Sequence, residues 1–272
     1  MYKNGFFMSL TALAGALFGV FLFCVSIAMS TDNYASFFDW PSLLMVLGGS
    51  VATAYMSFQA IYVNIAFKAI IWMFRKPVAT RDSLNAEIAR LIKWSYVVQK
   101  SGIPALENEV KNVPPSDSIM SYCLTLVATN HAPDELRSMM ETAIHAQFER
   151  HTIPAEVLRS MAGSAPAFGM LGTLIGLVVM LQSFGEDLGQ IGSGLSLALI
   201  TTLYGVLFAR MLFLPAAMQL QQKEEIELFR NQMMIEGLIM LSQKKGPRFM
   251  QDKLNSFLDP VKHFDIDRQL RG

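Results

Sequence analysis

The chain contains four long apolar stretches without a single charged residue, separated by polar sequence. They cover residues 4–31, 40–67, 160–185 and 188–209. A helix needs about 20 apolar residues to cross the hydrocarbon core of a bilayer, which is about 30 Å thick. Each stretch reaches that length, so the pattern predicts four transmembrane helices. The fourth is expected to continue to residue 217, with Arg210 as its one charged side chain.

Apart from Arg210, the basic residues all lie on one side of the membrane that these predicted helices would span. Lys3 precedes the first helix, eleven of the 22 lysines and arginines fall within 68–159, and nine fall within 218–272. The short loops after the first and third helices contain none. Because loops rich in lysine and arginine stay in the cytoplasm, the sequence predicts cytoplasmic termini and a cytoplasmic insert over 68–159. Both short loops are expected on the outer face.

The insert (68–159) and the tail (218–272) also have helical patterns. Apolar residues recur at helical spacing over 83–100, and breaks that contain proline at 113–117 and 131–134 precede further helical segments. No segment alternates apolar and polar residues as a strand would. The predicted fold class is an all-α integral membrane protein with four transmembrane helices, a helical cytoplasmic insert and a cytoplasmic tail.

The third predicted helix, 160–185, carries small residues on two adjacent stripes. Small residues let membrane helices approach closely, where lipid offers no hydrophobic drive to associate. This predicts a packing face that either only joins helices or also borders a pore or a partner helix. Pro166 in the same helix lacks a backbone N–H and leaves a carbonyl one turn earlier without its usual donor. The packing face comprises Ala165, Gly169, Gly172 and Gly176.

Three threonines are candidate ion ligands in the third and fourth predicted helices. Thr173 lies in the third helix, and Thr201 and Thr202 are neighbours in the fourth. Hydroxyl oxygens suit a small alkali cation, but they do not titrate and cannot carry a proton. Because Thr201 and Thr202 point in different directions, only one of them is expected to share a pathway with Thr173. The alternative is that the hydroxyls only bond to carbonyls one turn earlier.

None of the four apolar stretches contains Asp, Glu or His. A proton relay, or a tight site for a dehydrated cation, normally needs an ionisable group within the membrane. If this chain moves ions, the acid must therefore come from another chain. Arg210 is expected to extend to the cytoplasmic headgroups; the alternative is a pairing with a partner's carboxylate or phosphate. The sequence has no spacing typical of a metal site, a phosphate loop or a nucleophile–base pair, so it predicts no enzyme activity and no cofactor.

Several short segments in a fixed order carry a resemblance to a known family. They are 165–178 (APAFGMLGTLIGLV), 198–205 (ALITTLYG) and 214–216 (LPA), with 149–151 (ERH), 235–238 (IEGL) and 246–249 (GPRF). Around four predicted helices they resemble the MotA/PomA family, the larger subunit of the bacterial flagellar stator. The resemblance covers nearly the whole chain, and it implies a multi-pass protein of the bacterial inner membrane.

The resemblance implies a division of labour between chains. In the family, five copies surround the single membrane helices of two MotB/PomB partners, which carry the ion-binding aspartate and anchor to peptidoglycan. Ion passage turns the ring, and the insert pushes on the rotor protein FliG. Pro166 and Pro215 match the family's two prolines, and Thr173, Thr201 and Thr202 match the ion-pathway threonines of its sodium-driven members. The resemblance therefore favours Na⁺ as the transported ion, with H⁺ as the alternative.

The family's rotor-contact motif is matched only in part. The family typically has Arg-Lys-x-Gly-x-x-x-Leu-Glu in the insert, and residues 99–107 align with it. Lys100 and Glu107 keep the two charges, but Gln99 stands where an arginine is expected. The alternative is that these charges only solvate a helix.

Two other functions are weighed against the stator. An ExbB/TolQ-type subunit, which energises outer-membrane or envelope processes, usually has three membrane helices and an insert after the first. Lys3 on the inner side and a complete hairpin before the insert favour the stator instead. A non-conducting scaffold would need the glycine stripes but no prolines and threonines facing a shared axis.

Overall fold

The computed structural model describes residues 10–72, 83–110, 113–114, 117–129, 131–182, 188–258, 260 and 263–265. Within these residues all regular structure is helical, which confirms the all-α prediction. The chain divides into two compact units. The apolar unit comprises Met1–Pro77 and Thr152–Gln222, and the charged unit comprises Val78–His151 and Lys223–Gly272.

The helices are numbered in chain order. They are α1 (Leu10–Ser30), α2 (Trp40–Ser57), α3 (Ala60–Trp72), α4 (Ser83–Ser101), α5 (Leu106–Val110), α6 (Ser118–Ala128), α7 (Pro133–Gln182), α8 (Leu188–Phe208), α9 (Leu214–Ser242) and α10 (Pro247–Asn255). A π-helical turn joins α8 to α9. Helices α1–α3 and α8 belong to the apolar unit and α4–α6 and α10 to the charged unit, while α7 and α9 contribute residues to both.

The segment 40–67, predicted as one helix, forms two, α2 and α3. Helix α2 begins where the Asp39 carboxylate accepts a hydrogen bond from the Ser42 N–H (2.8 Å), an N-cap that satisfies a donor of the first turn. It ends at Phe58, whose backbone is extended and whose side chain packs against the core of the apolar unit. No glycine or proline stands at this break. The segment is therefore helical on both sides of a break that tertiary packing accompanies, and the single membrane span over 40–67 stays a prediction.

The fourth predicted span, 188–217, is also not one regular α-helix. The turn Ala209–Phe213 is π-helical, and the Leu214 N–H bonds to the Ala209 carbonyl. Pro215 follows directly, has no N–H to donate, and would crowd the carbonyl of the residue four positions earlier in an α-helix. A π turn accommodates one more residue than an α turn. We attribute the irregularity to this crowding.

Two described helical stretches are long and apolar enough to cross a membrane by length and composition alone. They are Pro133–Gln182 and the continuous stretch Ile191–Ser242. Leu17–Ser30 and Ala60–Ile71 are shorter apolar helices. Residues 4–9 and 183–185 of the predicted spans lie outside the described residues. The four-span topology therefore remains a prediction from the sequence.

The charged unit has an apolar core of its own. Gly237 of α9 packs against Leu91 of α4 so closely that a Cβ at Gly237 would overlap the leucine side chain. In the tail, the Asn255 side chain donates to the Phe264 carbonyl (2.9 Å) and accepts from the Phe264 N–H (2.8 Å). The fully buried side chains of this core include Trp94, Leu91, Met120, Leu124 and Met140.

Candidate functional site

Helices α7 and α8 form an antiparallel pair whose backbones nearly touch. A Cβ at Gly172 would lie 2.5 Å from the Thr201 Cβ, and a Cβ at Gly176 would lie 2.5 Å from the Gly194 carbonyl oxygen. On α8, a Cβ at Gly205 would lie 2.7 Å from the Ala165 carbonyl oxygen. Real Cβ atoms do not approach other atoms so closely, so the small residues make this contact possible. A Cβ at Gly169 would likewise lie 3.2 Å from the Thr202 Cα.

Thr201 lies between the two helices. Its side chain is fully buried and faces Gly172. Its hydroxyl donates to carbonyls of its own helix, those of Leu197 (2.9 Å) and Ala198 (3.0 Å). Within this chain, the Thr201 side chain therefore packs the pair together.

Thr173 and Thr202 lie on the same side of the α7–α8 pair. Each follows a residue of the Gly172–Thr201 contact, so each is rotated from that contact by about 100° in the same sense about its own helix. Because the helices are antiparallel, the two rotations lead to the same side. The depths differ by one residue in each helix, which is about 3 Å in total. Both side chains are half-buried.

This threonine face can offer oxygen ligands but no acid. The Thr173 hydroxyl donates to the Met170 carbonyl (2.6 Å), and the Thr202 hydroxyl donates to the Ala198 carbonyl (3.3 Å). Once the proton of a hydroxyl is used in this way, its oxygen lone pairs remain to accept a bond or to bind a cation. No Asp, Glu or His occurs in 160–185 or 188–209. The face therefore suits a partly hydrated cation or water, and it cannot store a proton.

Of the two prolines singled out in the sequence, Pro166 lies at the α7–α8 contact, whereas Pro215 lies beyond the end of α8. Pro166 is inside α7, and its Cα would be 3.1 Å from a Cβ at Gly205. Pro215 follows the π turn at the start of α9. Each proline leaves a backbone carbonyl without its usual helical donor. Arg210 lies within the π turn and is exposed.

The opposite side of the helix pair holds a contact that the sequence analysis missed. The Tyr204 hydroxyl donates to the Phe37 carbonyl (2.6 Å) and accepts from the Asp39 N–H (3.3 Å). On the same side, the Phe168 ring of α7 occupies the place that a Cβ at Gly49 of α2 would take. The signal was available, because a buried tyrosine normally finds a partner for its hydroxyl. Helix α2 thus packs against the side away from Thr173 and Thr202.

The parts of α7 and α8 that include Gly176 and Gly194 extend past the level at which Tyr204 contacts the loop before α2. Tyr204 contacts the residues just before α2, yet it lies sixteen residues, about 24 Å, from the start of α8. Beyond this level several large apolar side chains are exposed, among them Leu174 (59%), Leu181 (64%) and Leu199 (65%). This chain alone leaves them uncovered.

In the charged unit, Gln99 and Lys100 are exposed near the end of α4. The backbone of Glu107 is helical, but its side chain lies outside the described part of the chain. The predicted rotor-contact residues are therefore placed in part, and their role stays a prediction.

Two of the motif segments that carried the resemblance make ion pairs within the charged unit. Arg137 donates to Glu236 through its two terminal guanidinium nitrogens, Nη1 and Nη2, and this hydrogen bonding holds the pKa of the Glu236 carboxyl below its ordinary value despite burial. His151 contacts Glu224 (3.3 Å). Burial alone would raise the pKa of Glu224, but His151 and Lys223 outweigh it and the pKa is lowered. Through His151 and Glu236, these two segments link helices α7 and α9.

A half-buried cluster of charges joins α4, α9 and the residue before α6. Arg230 donates to Glu87 (3.0 Å), to Glu227 (3.2 Å) and to Asp117. Burial tends to lower the pKa of the Arg230 guanidinium, but the surrounding carboxylates outweigh it and the pKa is raised. Burial also raises the pKa of the Cys123 thiol to about 12, so this cysteine is not a reactive thiolate. Among the described residues, no group of three or more His, Cys, Asp or Glu side chains could hold a metal ion.

Comparison with known proteins relates nearly the whole chain to bacterial motility proteins. Residues 112–233 match the model of the MotA/TolQ/ExbB proton channel family. The chain is 29% identical to Motility protein A of Borreliella burgdorferi over 97% of this chain and 100% of that one. It is 31% identical to Chemotaxis protein PomA of Vibrio alginolyticus over 96% of this chain and 100% of that one.

The fold matches a solved stator structure. The flagellar MotAB stator complex from Bacillus subtilis aligns with a TM-score of 0.79 at 22% identity, over 97% of this chain and 98% of that one. The resemblance inferred from residues 165–178, 198–205 and 214–216 is confirmed by the relatives. The chain belongs to the MotA/PomA family of motility proteins and carries the domain of the MotA/TolQ/ExbB proton channel family.

Proposed function

We propose that this chain is the A-type subunit of an ion-driven flagellar stator, in which it supplies the neutral polar wall of the ion pathway. The observation that carries the proposal is the threonine face, with Thr173 and Thr202 on one side of the α7–α8 pair and no acid in either apolar stretch. The chain's relatives are named as motility and chemotaxis proteins. These names favour a stator over an ExbB/TolQ-type envelope subunit.

The partner is a single-span MotB/PomB-type protein that supplies the missing carboxylate. The similar structure is a complex of MotA with MotB, which supports such a partner for this chain. In the membrane, lipid or neighbouring chains of the complex cover the exposed leucines of α7 and α8. The proposed assembly is the family's ring of five copies around two partner helices.

The proposed topology has four membrane helices in the bacterial inner membrane, with both termini in the cytoplasm. The distribution of lysine and arginine supports this orientation. The charged unit then lies in the cytoplasm and applies torque to the rotor protein FliG. Gln99, Lys100 and Glu107 are the proposed contact residues.

The proposed ion is Na⁺. Neutral hydroxyl oxygens on the threonine face are ligands suited to an alkali cation, and PomA is among the relatives. The family description names a proton channel, so H⁺ is the competing ion. A proton would pass along water and the partner's carboxylate, and the threonines would then affect it less.

Complementation in motility-deficient cells tests the proposed function. The chain is expressed with its cognate partner, alone, and with a partner in which the membrane aspartate is changed to asparagine. We expect swimming only with the intact partner. Rotation speed is then measured against sodium at fixed pH and against pH at fixed sodium. If the chain and intact partner accumulate in the membrane but no motor rotates, the stator function is wrong.

A further inference from the structure

Tyr204 links the ion-pathway helix to the loop that precedes α2. Its hydroxyl bonds to two backbone groups of that loop, donating to the Phe37 carbonyl (2.6 Å) and accepting from the Asp39 N–H (3.3 Å). The Asp39 carboxylate is already engaged with the Ser42 N–H (2.8 Å). Tyr204 therefore joins α8 to the backbone of the loop and does not depend on a mobile side chain there.

The ring of Tyr204 is held as firmly as its hydroxyl. The side chain is 8% exposed and lies in the core of the apolar unit. The Phe208 ring, one turn further along α8, has its centre 6.1 Å from the Tyr204 ring. A buried tyrosine whose hydroxyl makes two hydrogen bonds, one of them short, allows its helix little rotation about the helix axis.

Rotation of α8 about its axis would move Thr202, and Tyr204 restrains that rotation. Tyr204 lies about 60° around the helix from Thr201 in one sense, and Thr202 lies about 100° from it in the other. Thr201 faces Gly172 of α7. Helix α8 is thus fixed by α7 on the Thr201 side and by the outer loop on the Tyr204 side. With both contacts in place, Thr202 is turned to the side that this chain leaves open.

We propose that Tyr204 is a positioning residue for the ion pathway: its bonds to Phe37 and Asp39 set the rotation of α8 and thereby the place of the Thr202 oxygen. This inference rests on the proposed function. The Tyr204 hydroxyl does not touch the ion, because it lies on the opposite side of the helix pair from Thr173 and Thr202. Loss of the Tyr204 hydroxyl weakens ion binding in the pathway. The partner's carboxylate is unaffected by this loss.

The test compares two tyrosine-to-phenylalanine variants of the full complex in cells. Tyr204→Phe removes the hydroxyl and keeps the ring. Tyr55→Phe is the matched control, because the Tyr55 hydroxyl also makes a hydrogen bond in the apolar unit, donating to Asn64 (2.9 Å). Rotation speed is measured against sodium at fixed pH and against pH at fixed sodium. We expect Tyr204→Phe to raise the half-saturating concentration of the conducted ion about three- to tenfold, because the hydroxyl's two hydrogen bonds are lost and only part of that free energy reaches the ion. The speed at saturating ion should stay near that of the unmodified protein.

The outcomes separate the inference from the function on which it rests. If the unmodified complex shows no ion-dependent rotation, the proposed function fails. If the unmodified complex rotates and Tyr204→Phe and Tyr55→Phe have the same half-saturating concentration as it has, the positioning role is wrong. If Tyr204→Phe does not accumulate, Phe208→Leu decides, because it loosens the ring and keeps the hydroxyl. A normal half-saturating concentration in Phe208→Leu would then mean that Tyr204 serves folding only, which also overturns the inference.

Discussion

Gly172 and Thr201 meet at one of the closest contacts between α7 and α8, where a Cβ on the glycine would lie 2.5 Å from the Thr201 Cβ and Oγ1 atoms. The Thr201 side chain cannot easily move aside, because it is fully buried and its hydroxyl donates a hydrogen bond to the Leu197 carbonyl of its own helix. Any side chain at position 172 must therefore push the helices apart. This contact fixes which faces of the two helices remain open, and the threonine face depends on it.

Gly172→Ala should destabilise the helix pair. Overpacking of a tight contact costs about 1–3 kcal/mol, so we expect a lower thermal midpoint of the purified complex and reduced motility. Gly163→Ala is the matched control in the same helix, since a Cβ there has no heavy atom within 4 Å. Equal midpoints for the two alanine variants would contradict the close packing described here.

Thr202→Ala and Thr201→Ala should have different effects although the two residues are neighbours. Both hydroxyls donate to the Ala198 carbonyl, so each variant loses a similar local bond. We expect Thr202→Ala to raise the half-saturating ion concentration, because it removes an oxygen from the open face. Thr201→Ala should instead lower stability by about 1 kcal/mol and keep the ion dependence at matched protein abundance. Rotation speed against ion concentration gives the comparison. If only Thr201→Ala changed the half-saturating ion concentration, Thr201 and not Thr202 would be the pathway residue, and the account would be wrong.

Arg230→Leu should unfold the charged unit more easily. The change leaves the half-buried Glu87 and Asp117 carboxylates with less compensating charge, and we expect a cost of about 1–3 kcal/mol, below that of breaking a fully buried ion pair. Arg90 lies 2.5 Å from Glu87 and 3.7 Å from Asp117, and it should offset part of this cost. Urea denaturation of the solubilised complex measures the effect. Arg150→Leu, at an exposed position, is the control. Similar midpoints for both variants would show that the cluster contributes little.

Lys100→Glu should reduce torque without affecting assembly or ion flux. The proposed contact with the rotor depends on charge, and a reversed charge repels where the original attracted. Lys93→Glu makes the same change at another exposed position of α4, outside the partly matched motif. We expect slower rotation under load for Lys100→Glu and near-normal rotation for Lys93→Glu. Equal rotation in the two variants would remove Lys100 from the contact.

The sequence predicted the helical class and the family because both depend on features that are local along the chain. Uncharged runs identify membrane-length segments, and the spacing of Gly169, Gly172 and Gly176 identifies a helix-packing face. The same pattern left open whether Thr201 or Thr202 accompanies Thr173. That choice needed the facing residue on α7, which only the fold provides.

Other features could not be read from local patterns. The break at Phe58 involves neither glycine nor proline, and it accompanies packing between residues distant in sequence. The π turn before Pro215 was foreshadowed only by the proline itself. Tyr204 stood inside a quoted motif, but its partners Phe37 and Asp39 are more than 160 positions away along the chain. Long-range contacts of this kind appear only when helices are placed side by side.

The central claim is that α7 and α8 form an ion conduit only around a carboxylate supplied by another chain. Ion flux into proteoliposomes tests it directly, with this chain alone, with its intact partner, and with a partner in which the membrane aspartate is changed to asparagine. We predict flux only with the intact partner and background leak in the other two preparations. Cation flux through this chain alone would contradict the claim.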